Sequence, residues 1–88
     1  MRITAEISLY PLQENFVDDI RAFIRCLRDE ADIEVVTNQM STQLRGEFSR
    51  VTDALQRCMR ASMERDATVV FVVKYLNADL DIANRPRL

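Results

Sequence analysis

The sequence predicts a small α+β domain with two helices packed on one face of a four-stranded antiparallel sheet. Segments at both ends and in the middle of the chain have the composition or alternation of strands, and two others carry apolar residues at helical spacing. Their order along the chain is strand, helix, strand, strand, helix, strand. Right-handed crossovers turn this βαββαβ order into the ferredoxin-like arrangement.

The first predicted strand covers residues 2–10, which alternate between apolar and polar side chains as a strand with one buried face does. Pro11 ends the strand because proline donates no hydrogen bond to a neighbouring strand. The first helix is predicted over 15–30, with Asn15 as its cap and Asp18 near the positive end of its dipole. Its buried face is expected to consist of Phe16, Ile20, Phe23, Ile24 and Leu27.

After the first helix, a segment rich in β-branched residues predicts a second strand. A tight turn near Asn38 and Gln39 connects it to the third strand. Gly46, the single glycine, ends that strand, and we expect a positive φ or a close backbone approach there. The predicted elements of this half are strands over 33–38 and 41–47, a helix over 48–64 and a strand over 67–76.

The length of 88 residues suits one domain, which we place at residues 1–76. Residues 77–88 lose periodicity and contain Pro86, so they are expected to form a loosely attached C-terminal tail.

Charge and composition limit the partners. The net charge of −2 argues against a nucleic-acid-binding protein, which needs a basic excess on one face. The chain has no apolar stretch long enough for a bilayer and no signal-peptide pattern, so we expect a soluble, cytoplasmic protein that does not bind membranes. Cys26 and Cys58 fall within apolar helical patterns and are expected to be reduced core thiols.

Several kinds of enzyme are disfavoured as well. The chain has no histidine, and its single glycine excludes a glycine-rich phosphate loop. The adjacent acidic pairs Asp18–Asp19 and Asp29–Glu30 lie at the ends of the first helix, where surface and dipole roles are the ordinary interpretation. We therefore expect no catalysis, no metal and no cofactor.

Polar residues cluster where the predicted strands end. Thr37 and Thr42 should lie on the face of Leu44, beneath the helices. Small hydroxyls among apolar neighbours can orient a neutral heterocycle, since each donates and accepts hydrogen bonds. On these residues alone, the alternative that they only satisfy the backbone of the turns is favoured. The residues expected on the opposite, open face of the sheet are Ser8, Tyr10, Ser41 and Gln43.

The open face should be only half polar, because Val36, Val70 and Val72 also point to it. Such a face on a small domain is seldom left in contact with water. We therefore expect self-association, as a homodimer or a homotetramer.

Two segments resemble the YkoF-like family of thiamine- and hydroxymethylpyrimidine-binding proteins. They are Ile7-Ser8-Leu9-Tyr10-Pro11-Leu12 and Thr37-Asn38-Gln39-Met40-Ser41-Thr42-Gln43-Leu44-Arg45-Gly46, and the resemblance extends over residues 3–76. It implies a ferredoxin-like domain that binds thiamine or its pyrimidine part without catalysis. The ligand-binding residues that it implies are Ser8, Tyr10, Thr37, Ser41 and Thr42.

The chain also departs from that family, whose well-known members carry two such repeats where this one has a single repeat. A partner subunit would then have to replace the second repeat. The alternative hypothesis is a ferredoxin-like interaction or regulatory domain that self-associates through its sheet and binds no small molecule.

Overall fold

The computed structural model describes residues 1–65 and 67–88, and it confirms the predicted order of elements. Each predicted boundary lies within two residues of the observed one. The elements are β1 (Arg2–Pro11), α1 (Val17–Arg28), β2 (Ile33–Thr37), β3 (Thr42–Glu47), α2 (Phe48–Met63) and β4 (Val69–Leu76).

The four strands form one antiparallel sheet in the order β2-β3-β1-β4. β1 lies between β3 and β4, so the two middle strands are the first and third in sequence. Helices α1 and α2 pack against each other and against the same face of the sheet. The predicted ferredoxin-like fold is therefore confirmed.

The core lies between the sheet and the helices. Ile3, Ala5 and Ile7 point inward from β1, as their alternation with polar residues predicts. The helices contribute residues from the predicted apolar faces, and Phe23 also packs against Phe71 of β4 with ring centroids 5.0 Å apart. The other core residues are Leu27, Leu44, Val51, Leu55 and Cys58.

The start of α1 differs from the prediction. Phe16, in a helical conformation, precedes the first residue of the helix, and no side chain caps it, so the assignment of Asn15 as the cap was wrong. Asp19 is also buried, although the sequence placed it on the surface. Its carboxylate lies 2.8 Å from Arg65 Nε and accepts a hydrogen bond from Gln13. The ion-pair partner of Asp19 lies two residues after the end of α2, far from Asp19 in sequence.

The prediction of two reduced thiols was wrong, because Cys26 and Cys58 form a disulfide between α1 and α2. Their Cα atoms are 5.7 Å apart, within the usual range for a disulfide. Helical periodicity placed each cysteine on an inner face but could not show that the two faces meet at these positions. Because disulfides are rare in the cytosol, the cysteines no longer support a cytoplasmic location, which stays a prediction.

A positive φ or a close backbone approach was expected at Gly46, and the structure shows the close approach. Its φ is not positive, but the backbone passes close to its neighbours. A Cβ atom there would lie 3.3 Å from both the carbonyl oxygen of Asp32 and Cγ2 of Ile33, and 3.4 Å from Cγ2 of Val51. Glycine therefore allows β2 and α2 to approach β3 at this point.

Residues 77–82, the C-terminal segment, lie along part of the open face of the sheet. The hydroxyl of Thr4 donates to the carbonyl oxygen of Ala78 at 2.7 Å and accepts from Leu80 N at 3.0 Å. Arg45 donates to the carbonyl oxygen of Leu80 at 2.6 Å. Thr4 is consequently buried on the face that the sequence left exposed. The domain boundary at residue 76 stays a prediction.

Candidate functional site

A cavity of about 190 Å³ lies where the turn between β2 and β3 meets α1 and the end of β1. One wall is apolar and comes from Ile20, Phe23 and Ile24 of α1. The opposite side is formed by the strand ends and the turn, which supply hydroxyl and amide groups. We call this cavity the strand-end cavity. The residues that line it opposite α1 are Ile7, Ser8, Leu9, Thr37, Asn38, Gln39, Met40, Ser41 and Thr42.

Two threonine hydroxyls meet at the base of this hairpin. Thr37 and Thr42 are directly opposite each other in the β2–β3 register, and their Oγ1 atoms are 3.0 Å apart. Both belong to the inner face, and Thr42 is buried, as predicted from its alternation with Leu44. Each hydroxyl has one hydrogen, so the contact between them uses one and leaves the other free to donate.

The turn that follows Thr37 is held by Asn38. Its side-chain Oδ1 accepts hydrogen bonds from the backbone N–H groups of Met40, at 2.9 Å, and Ser41, at 3.1 Å. The backbone N–H of Asn38 donates to the carbonyl oxygen of Ser41 at 3.0 Å. For Asn38, the interpretation that a polar side chain satisfies the turn backbone is therefore correct.

The structure brings four of the five predicted ligand residues together. Ser8, Thr37, Ser41 and Thr42 all line the strand-end cavity. Tyr10 lies elsewhere, on the open face of the sheet beside Val70 of β4, with 54% of its surface exposed. Whether any of these residues binds a ligand stays a prediction.

Sequence reasoning did not assign the apolar wall to the site. Ile20, Phe23 and Ile24 were predicted as one face of α1, and the threonines were predicted to lie beneath the helices. Those two predictions together could have placed the wall opposite the hydroxyls. Gln39 and Met40, in the turn, also line the cavity, and Met40 is 86% exposed at its rim.

A second, larger cavity of about 500 Å³ lies on the open face, between the sheet and the C-terminal segment. Its lining includes Glu6, Lys74, Tyr75, Asp81 and Ile82. Burial raises the pKa of Tyr75, whereas hydrogen bonds from the side chain and backbone of Asn84 lower the pKa of Asp81. None of the five predicted ligand residues is among the described residues that line this groove, so the strand-end cavity is the better candidate site.

The sequence matches the model of the YKOF-related family over residues 2–77. The chain belongs to the YKOF-related family. The match extends over most of the protein and includes all the strands and helices described above. No curated protein matches the sequence.

Solved structures with the same fold come from several bacteria. Protein SP2199 from Streptococcus pneumoniae is 20% identical, with a TM-score of 0.82 over 91% of this chain and 90% of that one. A domain of unknown function, DUF77, from Bacillus cereus is 18% identical, with a TM-score of 0.76 over 93% and 84%. A Thermotoga maritima structure described as a candidate thiamine biosynthesis/salvage protein is 16% identical, with a TM-score of 0.72 over 93% and 91%. At these identities the likeness shows the fold alone.

Within residues 1–65 and 67–88, no helix is both long and apolar enough to span a bilayer. The same residues contain no group of three or more His, Cys, Asp or Glu side chains placed to hold a metal ion.

Proposed function

We propose that the protein binds thiamine or its hydroxymethylpyrimidine part without transforming it, with the pyrimidine ring in the strand-end cavity. The observation that carries the proposal is the convergence of Ser8, Thr37, Ser41 and Thr42 on one cavity. Membership of the YKOF-related family and the description of the Thermotoga maritima neighbour support the same ligand class.

The two sides of the cavity suit the two kinds of surface on an aminopyrimidine. Its ring faces are flat and apolar, and they can pack against Phe23 and Ile24 of α1. Its edge carries ring nitrogens that accept hydrogen bonds and an amine that donates them, and hydroxyls can pair with both. This division of an apolar wall from a few polar groups is typical of small-molecule sites.

The size of the cavity favours one ring over a whole cofactor. Sites for drug-sized ligands measure roughly 300–1,000 Å³, and the strand-end cavity measures about 190 Å³. The pyrimidine would occupy it, and the remainder of thiamine would extend past Met40 toward solvent or a partner subunit. A partner in that position would supply what the second repeat supplies in two-repeat members of the family.

Calorimetry with thiamine and with hydroxymethylpyrimidine tests the proposal. Thr42→Val keeps the shape of the side chain but removes its hydroxyl, leaving a polar ligand atom and Thr37 without a partner. Loss of such a hydrogen bond costs about 1–3 kcal/mol, so we expect affinity to fall about tenfold or more. The control is Thr52→Val on α2, whose hydroxyl bonds to Phe48 O and Ser49 O.

The possible outcomes separate the two hypotheses of function. If the wild-type protein gives no heat with either compound at millimolar concentration, the binding proposal fails and an interaction domain without a ligand takes its place. If the wild type binds and Thr42→Val binds equally well, the ligand class stands and the site lies elsewhere.

A further inference from the structure

Three arginines on the surface of α1 have no ionic partner within residues 1–65 and 67–88. Arg21, Arg25 and Arg28 are exposed, and none of them forms an ion pair with a carboxylate of that part of the chain. Every other basic side chain up to residue 76 has at least one ion pair. These paired side chains are Arg2, Arg45, Arg50, Arg57, Arg60, Arg65 and Lys74.

The spacing of the three arginines does not stabilise the helix. Arg21 and Arg25 are four residues apart and Arg25 and Arg28 are three apart, so the members of each pair are neighbours on the helix surface. Like charges at these spacings are destabilising. The negative end of the helix dipole favours Arg25 and Arg28, which lie in the last turn, but not Arg21. The guanidinium groups are thus available to an anion from outside the domain.

Two of these arginines lie beside the strand-end cavity. Ile24 of α1 lines the cavity and is only partly buried, so it lies where the cavity meets the surface. At about 100° per residue, Arg28 lies about 40° and Arg21 about 60° around the helix from Ile24, both on its solvent side. Long helical side chains lean toward the preceding turn, which brings Arg28 over Ile24. Arg25 lies about 100° from Ile24, farther from the cavity.

The charges around this part of the cavity favour an anion. No carboxylate is among the described residues that line the strand-end cavity. Asp18, the acidic residue three positions before Arg21, lies about 120° around the helix from Ile24, on the far side of the arginines. Arg21 and Arg28 therefore give the mouth of the cavity a positive potential on its α1 side.

A phosphate group on the pyrimidine would meet this positive charge. The cavity of about 190 Å³ has room for one ring, so substituents of that ring lie at its mouth. A phosphate ester of the hydroxymethyl group is separated from the ring by one carbon and one oxygen, which places its charge near Ile24. Arginine binds phosphate oxygens through pairs of parallel N–H donors. Arg21 and Arg28 are about 10 Å apart along the helix axis, so two long side chains can turn toward one phosphate between them.

We propose that Arg21 and Arg28 form an anion-binding rim on the strand-end cavity, and that the ligand is the phosphate ester of the hydroxymethylpyrimidine in preference to the free alcohol. This inference rests on the proposed function and narrows its ligand class. Arg25 lies outside the rim and does not contact the phosphate.

Calorimetric titration of two probes at low ionic strength tests this inference. The probes are hydroxymethylpyrimidine and its phosphate monoester. Because the ester gains charge-assisted hydrogen bonds at the rim, we expect the wild type to bind it about tenfold more tightly than the alcohol. In the double variant Arg21→Gln, Arg28→Gln this preference should fall below about twofold. Added salt should weaken the wild-type preference, since the rim is exposed.

The matched control is the double variant's counterpart at the third arginine. Arg25→Gln removes a charge of the same kind from the same helix, and glutamine has nearly the helix propensity of arginine. This variant should keep most of the wild-type preference. The readout is the ratio of two dissociation constants measured on one preparation, so partial loss of folded protein does not change it.

Failure of this inference is distinguishable from failure of the proposed function. If the wild type binds neither probe, both fall together. If it binds the alcohol as tightly as the ester, the rim is disproved while the proposed function stands. A preference for the ester that survives in Arg21→Gln, Arg28→Gln, or that Arg25→Gln abolishes, also disproves the rim alone.

Discussion

Single residues in this fold are constrained by neighbours that come from distant parts of the sequence. Gly46 shows this clearly, because its space is limited by Asp32 and Ile33 before the hairpin and by Val51 in the next helix. Its backbone conformation is open to any residue, so the reason for glycine at this position is close packing and not a positive φ.

Substitution of Gly46 should therefore destabilise the protein in proportion to side-chain size. We expect Gly46→Val to cost about 1–3 kcal/mol, the usual range for overpacking a filled core, and Gly46→Ala to cost less. Urea unfolding of both variants beside the wild type measures this. Equal stability of the valine and alanine variants would show that β2 and α2 can move apart without penalty.

At the scale of elements, a disulfide joins the two helices. Cys58 belongs to the buried core of α2, and Cys26 of α1 packs against that core. The two residues are 32 positions apart in sequence, so the bond closes a loop that contains β2 and β3. A cross-link of this span restricts the unfolded chain much more than the folded one.

Reduction of this bond should lower stability by about 3–4 kcal/mol, the value expected for loops of a few tens of residues. Unfolding curves with and without a phosphine reductant test this, and the double variant Cys26→Ala, Cys58→Ala serves as the control that should not respond to reductant. Protein purified without reductant should also resist alkylation in denaturant. Ready alkylation of both cysteines under that condition would contradict the disulfide.

The C-terminal segment divides the open face of the sheet. Near one end of the strands it covers Thr4 and bonds to Arg45, whereas toward the strand-end cavity the face stays exposed. Val70 and Val72 of the edge strand β4, with 44% and 49% of their surfaces exposed, lie there beside Tyr10 and Ser8 of β1. The half of the face nearest the candidate site thus carries an exposed apolar strip.

For the whole molecule, this exposed half is where we propose that a second copy packs, giving a homodimer or, by a further contact, a homotetramer. A two-fold axis would place the same apolar strip of both copies in contact and bring the partner near the strand-end cavity.

Analytical ultracentrifugation at micromolar concentration should accordingly show little monomer. Val72→Lys should shift the distribution to monomer, since the symmetry axis brings two like charges together in a desolvated contact. Met63→Lys is the matched control, because Met63 is comparably exposed at the end of α2, away from the sheet face. A monomeric wild type would disprove both the dimer and the analogy with two-repeat proteins.

The sequence alone determined the elements, their order and the face on which most of the core side chains lie. These follow from periods of two and 3.6 residues, which are local properties of the strand and the helix. The inward positions of Ile3 and Ile7 and of Thr42 beside Leu44 were predicted on this basis and are confirmed. The convergence of four predicted ligand residues at one end of the sheet follows from the strand order, since the alternation by itself placed Ser8 and Ser41 on the face opposite the two threonines.

Only the tertiary structure decided which of these faces meet, because residues far apart in sequence become neighbours through packing angles that no local period encodes. The disulfide between Cys26 and Cys58 and the burial of Asp19 by Arg65 are of this kind. Two further contacts are of the same kind: the C-terminal segment covers Thr4, and the Ser41 hydroxyl donates a hydrogen bond to Glu6. The sequence thus determined the fold, whereas packing determined which residues of its different elements meet.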